Sequence, residues 1–265
     1  MWPVLAPCIF TAGRLVCALV IVVSTFEGAR QVGDPATRPQ GLAAFDRAAK
    51  AIAVAIVFDV LDGSVARLLG SASSFGVQLD SLADIVAFGM APAVLGLYWG
   101  IQPVRAGSSG RADEMVVAAA WCVFVAFLGC AVFRLARFNL DADLVSPGDR
   151  YFVGLPVPGA AAVIAAVVYF AKQPLDDWRE GAAWLGVVTM LAALMVSRIR
   201  YALAEPYPAY LRTWLFRVPV GGLLLWALWV HSEVTVLVGV LACATSGPVS
   251  DLVRRLSADR RRPTT

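Results

Sequence analysis

The sequence predicts an all-α, polytopic membrane bundle of about eight transmembrane helices, and three observations carry that expectation. Hydrophobic residues make up 59% of the 265 positions and charged residues 15%, with a mean hydropathy of +0.73, well outside the balance of a soluble domain. Mostly apolar runs long enough to cross a bilayer as a helix, about 17 to 25 residues, recur from end to end. Only short Gly, Pro and charged stretches separate them, which leaves no room for a soluble domain.

Taken in order, the expected spans cover residues 8–26, 42–61, 75–99, 115–138, 153–171, 182–199, 211–230 and 234–253. The first lacks a basic leading region and is interrupted by Arg14, so a retained helix is expected rather than a cleaved signal. The second is crowded by Asp46, Arg47 and Lys50 at its start and by Asp59 at its end, so it needs neighbours to be stable in lipid. GARQVGDPATRPQG and VRAGSSGRADE read as exposed loops, and Pro156 and Pro158 as shaping the entry into the fifth span. The expected division is a membrane core over 1–200, two further helices over 201–253 and a basic, disordered tail over 254–265.

An even number of spans puts both termini on one side, together with Arg67, Arg134, Arg137, Arg150, Arg198, Arg200, Arg212 and the tail arginines. That side is the more basic and is expected to be cytoplasmic, in a bacterial cytoplasmic membrane. Cys8, Cys17, Cys122, Cys130 and Cys243 lie in apolar runs without a CxxC pair, so neither a disulfide framework nor a zinc site is expected.

The stretch FDVLDGSVARLLGSASSFGVQLDSLAD places four aspartates in a strongly apolar part of the chain. Carboxylates in such a setting are costly unless paired or metal-bound, which marks them as functional candidates. On a helix, Asp59, Asp62, Gly63 and Ala66 share one face, because offsets of three, four and seven fall together; Gly76, Asp80 and Asp84 form a second stripe. The GSASS turn lets the two faces meet. Four converging carboxylates need compensation, and all-oxygen ligation favours Mg2+ or Mn2+, with enough acids for two ions. Gly63, Ala66 and Gly76 permit close approach of a flat or phosphorylated ligand, and Arg67 suits phosphate oxygens.

Aspartates at helix ends commonly serve as caps, and small residues in membrane helices commonly serve packing. The joint spacing D-x2-D-G-x2-A-R-x8-G-x3-D-x3-D exceeds either explanation: at average usage it arises by chance on the order of once in a billion starting positions.

Through Asp59, Asp62, Gly63, Ala66, Arg67, Gly76, Asp80 and Asp84 the chain resembles the CDP-alcohol phosphatidyltransferase family. The resemblance implies a six-helix catalytic core, often dimeric, whose aspartates hold divalent cations on the diphosphate of a CDP-linked lipid. It also implies that Asp84 is the base activating the acceptor hydroxyl. FRLARFNL, FVGLPVPGAA and MVSRIRY are similar to the family's serine-using branch, which would make CDP-diacylglycerol and L-serine the substrates. IFTAGRLVCA resembles that branch's first helix, with Arg14 where an asparagine is expected. Arg134 and Arg137 share a helix face with Asn139 just beyond, suited to an acceptor carboxylate or a lipid phosphate; snorkelling under the positive-inside bias is the plainer explanation of the same arginines.

Other acceptors such as glycerol phosphate or inositol phosphate stay open, as does an ion-coupled transporter built on the acid cluster. The sole histidine, His231, excludes a His-dependent triad, and with two lysines it excludes phospholipase D-like transfer. Neither a P-loop nor a nucleophile elbow is present. A nucleic-acid partner is not expected.

Overall fold

The structure is a computed structural model that describes residues 2–69, 74–101, 111–142 and 151–202, together with 237, 241, 244 and 245. The expected seventh and eighth spans and the basic tail lie outside the described residues, apart from those four positions. The described chain is helical, with one small exception. The helices are α1 (Trp2–Gln31), α2 (Arg38–Leu69), α3 (Ser74–Asp84), a π-helical segment (Ile85–Met90), α4 (Ala91–Gly100), α5 (Arg111–Ala142), α6 (Val157–Ala171) and α7 (Trp178–Val196). The exception is a three-residue antiparallel ladder of β1 (Tyr151–Val153) with β2 (Arg200–Ala202).

Since α3, the π segment and α4 follow one another without a break, the described residues form six rods. Four helices are long and apolar enough to cross a membrane: Ile9–Gln31, Gly76–Gly100, Glu114–Leu140 and Trp178–Val196. Of the six spans expected within the described residues, the first, third, fourth and sixth meet that test. Helix α6 is apolar but short, and α2 carries too much charge to qualify alone.

The charges of α2 have partners, which is how the helix is accommodated. Asp46 pairs with Lys50 at 2.7 Å and with Lys172 at 3.4 Å, and Arg47 with Glu27 at 3.4 Å. Both lysines also lie over the Tyr169 ring. This polar end of α2 is about 20 Å along the axis from Asp59, at 1.5 Å per residue.

Helices α1 and α2 form an antiparallel hairpin, and the loop expected over 28–41 is only 32–37. Glycine is the reason. A Cβ on Gly41 would lie 2.8 Å from the Val32 nitrogen and 3.0 Å from the Gly28 carbonyl, and one on Gly28 would lie 3.0 Å from the Phe45 ring. Residues read as loop formers instead let two helices cross in close contact. The turn between them is closed by Asp34, whose Oδ1 accepts from the Ala36 amide at 3.0 Å, and by the Thr37 hydroxyl, which donates to the Gln31 carbonyl at 2.8 Å.

The core runs through the bundle centre and includes Ile21, Phe45, Ile52, Phe88, Leu95, Trp99, Phe127, Ile164 and Met195, each almost fully buried. Trp184 on α7 donates to the Gly96 carbonyl on α4 at 3.0 Å and packs edge-on against Trp99. Pro156 precedes α6 and Pro158 lies in its first turn, as expected of residues that start a helix.

Candidate metal centre

Helix α2 runs on through Asp59 and Asp62 to Leu69, so these acids sit inside a helix rather than at the end of one. Helix α3 ends at Asp84, and the chain then widens into the π segment, where the Ala91 amide reaches back to the Val86 carbonyl. Such wide turns are rare and recur at functional sites. The two aspartate stripes read from the sequence do face each other: carboxylate oxygens of Asp59, Asp80 and Asp84 all lie within 4.8 Å of one another.

Asp62 stands slightly apart and accepts a hydrogen bond from the Thr11 hydroxyl at 2.7 Å. The four side chains differ in depth, with 8% of Asp62, 13% of Asp84, 26% of Asp59 and 48% of Asp80 exposed. The cluster therefore opens toward the outside at Asp80 and closes at Asp62 and Asp84.

At its centre lies a residue the sequence reading treated as an interruption. The guanidinium of Arg14, from α1, pairs with all four acids: Nη1 with Asp59 and with Asp84 at 2.5 Å, Nη2 with Asp80 and with Asp62 at 3.3 Å. Thr11 and Arg14 are three residues apart on α1 and so share the face turned to α2 and α3. The one sequence signal for Arg14 was that it departs from the asparagine of the resembling pattern.

Gly63 and Gly76 flank the cluster, both half-buried. Ala66 and Arg67 belong to the α2 backbone, and their side chains lie outside the described residues. On α5, Arg134 is buried, stacks over the Phe138 ring at 5.5 Å and lies within electrostatic reach of Asp84. Its Nε has no hydrogen-bond partner among the described residues. Asn139 donates to the Ser81 hydroxyl at 2.9 Å, tying α5 to α3 one residue from Asp80.

Arg137 is engaged elsewhere. It donates to the carbonyls of Val196 at 3.1 Å and Ser197 at 3.4 Å, at the end of α7, and to that of Val153 in β1 at 2.9 Å. Gly154 takes φ +81°, and a Cβ there would lie 2.4 Å from the Met195 carbonyl. Its amide and that of Leu155 donate to Ile199 and Leu194. The segments FRLARFNL, FVGLPVPGAA and MVSRIRY thus meet in space as one clamp.

The donor set fits a hard divalent cation: three carboxylates converge and all ligand atoms are oxygen.

Residues 4–199 match the family model described as CDP-alcohol phosphatidyltransferase. The chain belongs to this family. Among curated relatives of this family member, a Helicobacter pylori protein named CDP-diacylglycerol–serine O-phosphatidyltransferase is 37% identical over 152 residues, 57% of the chain and 58% of that relative. Proteins of the same name from Saccharomyces cerevisiae and Methanocaldococcus jannaschii are 37% identical over 129 residues and 32% over 167 residues. The matches cover 47% and 63% of the chain and 42% and 68% of those relatives. The chain thus spans about half the length of the Helicobacter and yeast relatives.

Proposed function

We propose that this family member transfers the phosphatidyl group of CDP-diacylglycerol to L-serine, giving phosphatidylserine and CMP. The observation that carries the reading is the convergence of Asp59, Asp80 and Asp84 within 4.8 Å inside an apolar bundle, in a chain of the CDP-alcohol family whose named relatives use serine. Catalysis resides in residues 1–200, and the site faces the cytoplasm, as the arginine distribution suggests.

Asp59, Asp80 and Asp84, with Asp62 beside them, would hold Mg2+ or Mn2+. When bound, a divalent cation supplies charge neutralisation of the diphosphate and of the departing CMP. The protein's own residues do the rest. Asp84, mostly sheltered but at the mouth of the π segment, takes the proton of the serine hydroxyl as the serine oxygen bonds to the lipid-side phosphorus and the bond to CMP breaks. Arg134, buried near Asp84, receives the serine carboxylate, while Arg137 holds the clamp that positions α5. Gly63 and Gly76 leave room for the nucleotide diphosphate, with Ala66 and Arg67 assigned to the same ligand from their place in the motif.

The test is CMP release by purified protein given CDP-diacylglycerol, Mn2+ or Mg2+, and serine, glycerol phosphate or inositol phosphate in turn. Release that requires serine and the cation is expected. Release with a phosphorylated acceptor in place of serine would overturn the serine assignment, and no release with any acceptor would overturn the transferase reading.

A further inference from the structure

We propose that Arg14 is the resident counter-ion of this site and that its guanidinium competes with the divalent cation for the same carboxylates. The proposal rests on the reading of Asp59, Asp80 and Asp84 as cation ligands.

The geometry is specific. The Arg14 side chain is fully buried, and each terminal nitrogen bridges one acid of α2 and one of α3: Nη1 joins Asp59 to Asp84, Nη2 joins Asp62 to Asp80. The three carboxylates that could hold an ion all give the guanidinium an oxygen. A guanidinium stays charged and offers planar, forked donors, so each of its terminal nitrogens can bridge two acids at once.

Two consequences follow from charge. Without the cation, four acids would repel and splay; Arg14 keeps α2 and α3 assembled around a preformed site. With Arg14 in place, an entering cation meets a positive charge on its own ligands, so its affinity is reduced until an anionic diphosphate adds negative charge. Occupancy by the cation is thereby coupled to arrival of the CDP-lipid. An asparagine at position 14, as in the resembling pattern, would lack this coupling.

The test is binding of Mn2+ alone to the purified full chain, followed by loss of the free-ion paramagnetic resonance signal, for wild type, Arg14→Asn and Arg14→Lys. Arg14→Asn is expected to bind Mn2+ about tenfold or more tightly than wild type, because one unit charge a few ångströms away is removed. Arg14→Lys, which keeps the charge, is expected to stay close to wild type. Equal or weaker binding by Arg14→Asn overturns the proposal. Absence of Mn2+ binding in all three proteins overturns it together with the cation-ligand reading, while the acceptor assignment, read by CMP release, is judged separately. Should Arg14→Asn fail to fold, wild type decides. The nitrogen-15 guanidinium resonance of Arg14 is expected to move as Mg2+ is added, and an unmoved resonance through saturation overturns the proposal.

Discussion

Asp84 and Asp62 share a cluster and are nearly equally sheltered, yet they are given different work. Asp62 is held by Thr11 at 2.7 Å, whereas Asp84 stands where α3 opens into the π segment. Asp84→Asn keeps the shape and removes the proposed base, so turnover should fall about 10²- to 10⁴-fold; retained turnover would remove Asp84 from that role. Thr11→Val leaves a buried carboxylate short of one donor and should cost about 1–3 kcal/mol in thermal unfolding in detergent. Arg134→Gln should raise the KM for serine at least about tenfold with a smaller change in kcat, from loss of a charge-assisted hydrogen bond; an unchanged KM would take the carboxylate away from Arg134. The aspartates were legible in the sequence because acids in apolar runs demand a reason. Arg14 was not, since its partners lie 45 to 70 residues away along the chain for Asp59 and Asp84, and no local period records such a pairing.

Among the elements, the helical rods follow from apolar periodicity, but their junctions do not. Gly28 and Gly41, with the Pro and charge around them, carry the composition of a loop, yet they serve helix crossing because only they let α1 and α2 approach so closely. Gly41→Ala places a Cβ against backbone atoms and should lower stability by about 1–3 kcal/mol. Arg137, expected at an acceptor or phosphate, donates to the carbonyls of Val153, Val196 and Ser197. Arg137→Ala should cost about 2–4 kcal/mol and loosen the β1–β2 ladder, measured as faster amide exchange around Gly154. The three-residue ladder left no sequence signal, being shorter than any alternation a pattern can show.

For the molecule as a whole, hydropathy identified the membrane bundle, and motif spacing anticipated the meeting of the α2 and α3 aspartates. Among the described residues the second span was less legible, because the charges of α2 are matched by ion pairs within the helix and to neighbouring elements. Among the described residues, the ion pairs of α2 gather around Arg38, Asp46, Arg47 and Lys50 toward its start and around Asp59 and Asp62 with Arg14 farther along. Only the second brings several acids together on facing helices. The most direct test follows CMP and labelled serine together in the purified protein, with CDP-diacylglycerol and Mn2+, before and after chelation and in Asp84→Asn. The account predicts equal amounts of CMP and serine-labelled lipid, both lost with the chelator and with the substitution. CMP formed without labelled lipid, or labelled lipid formed by Asp84→Asn at the wild-type rate, would contradict it.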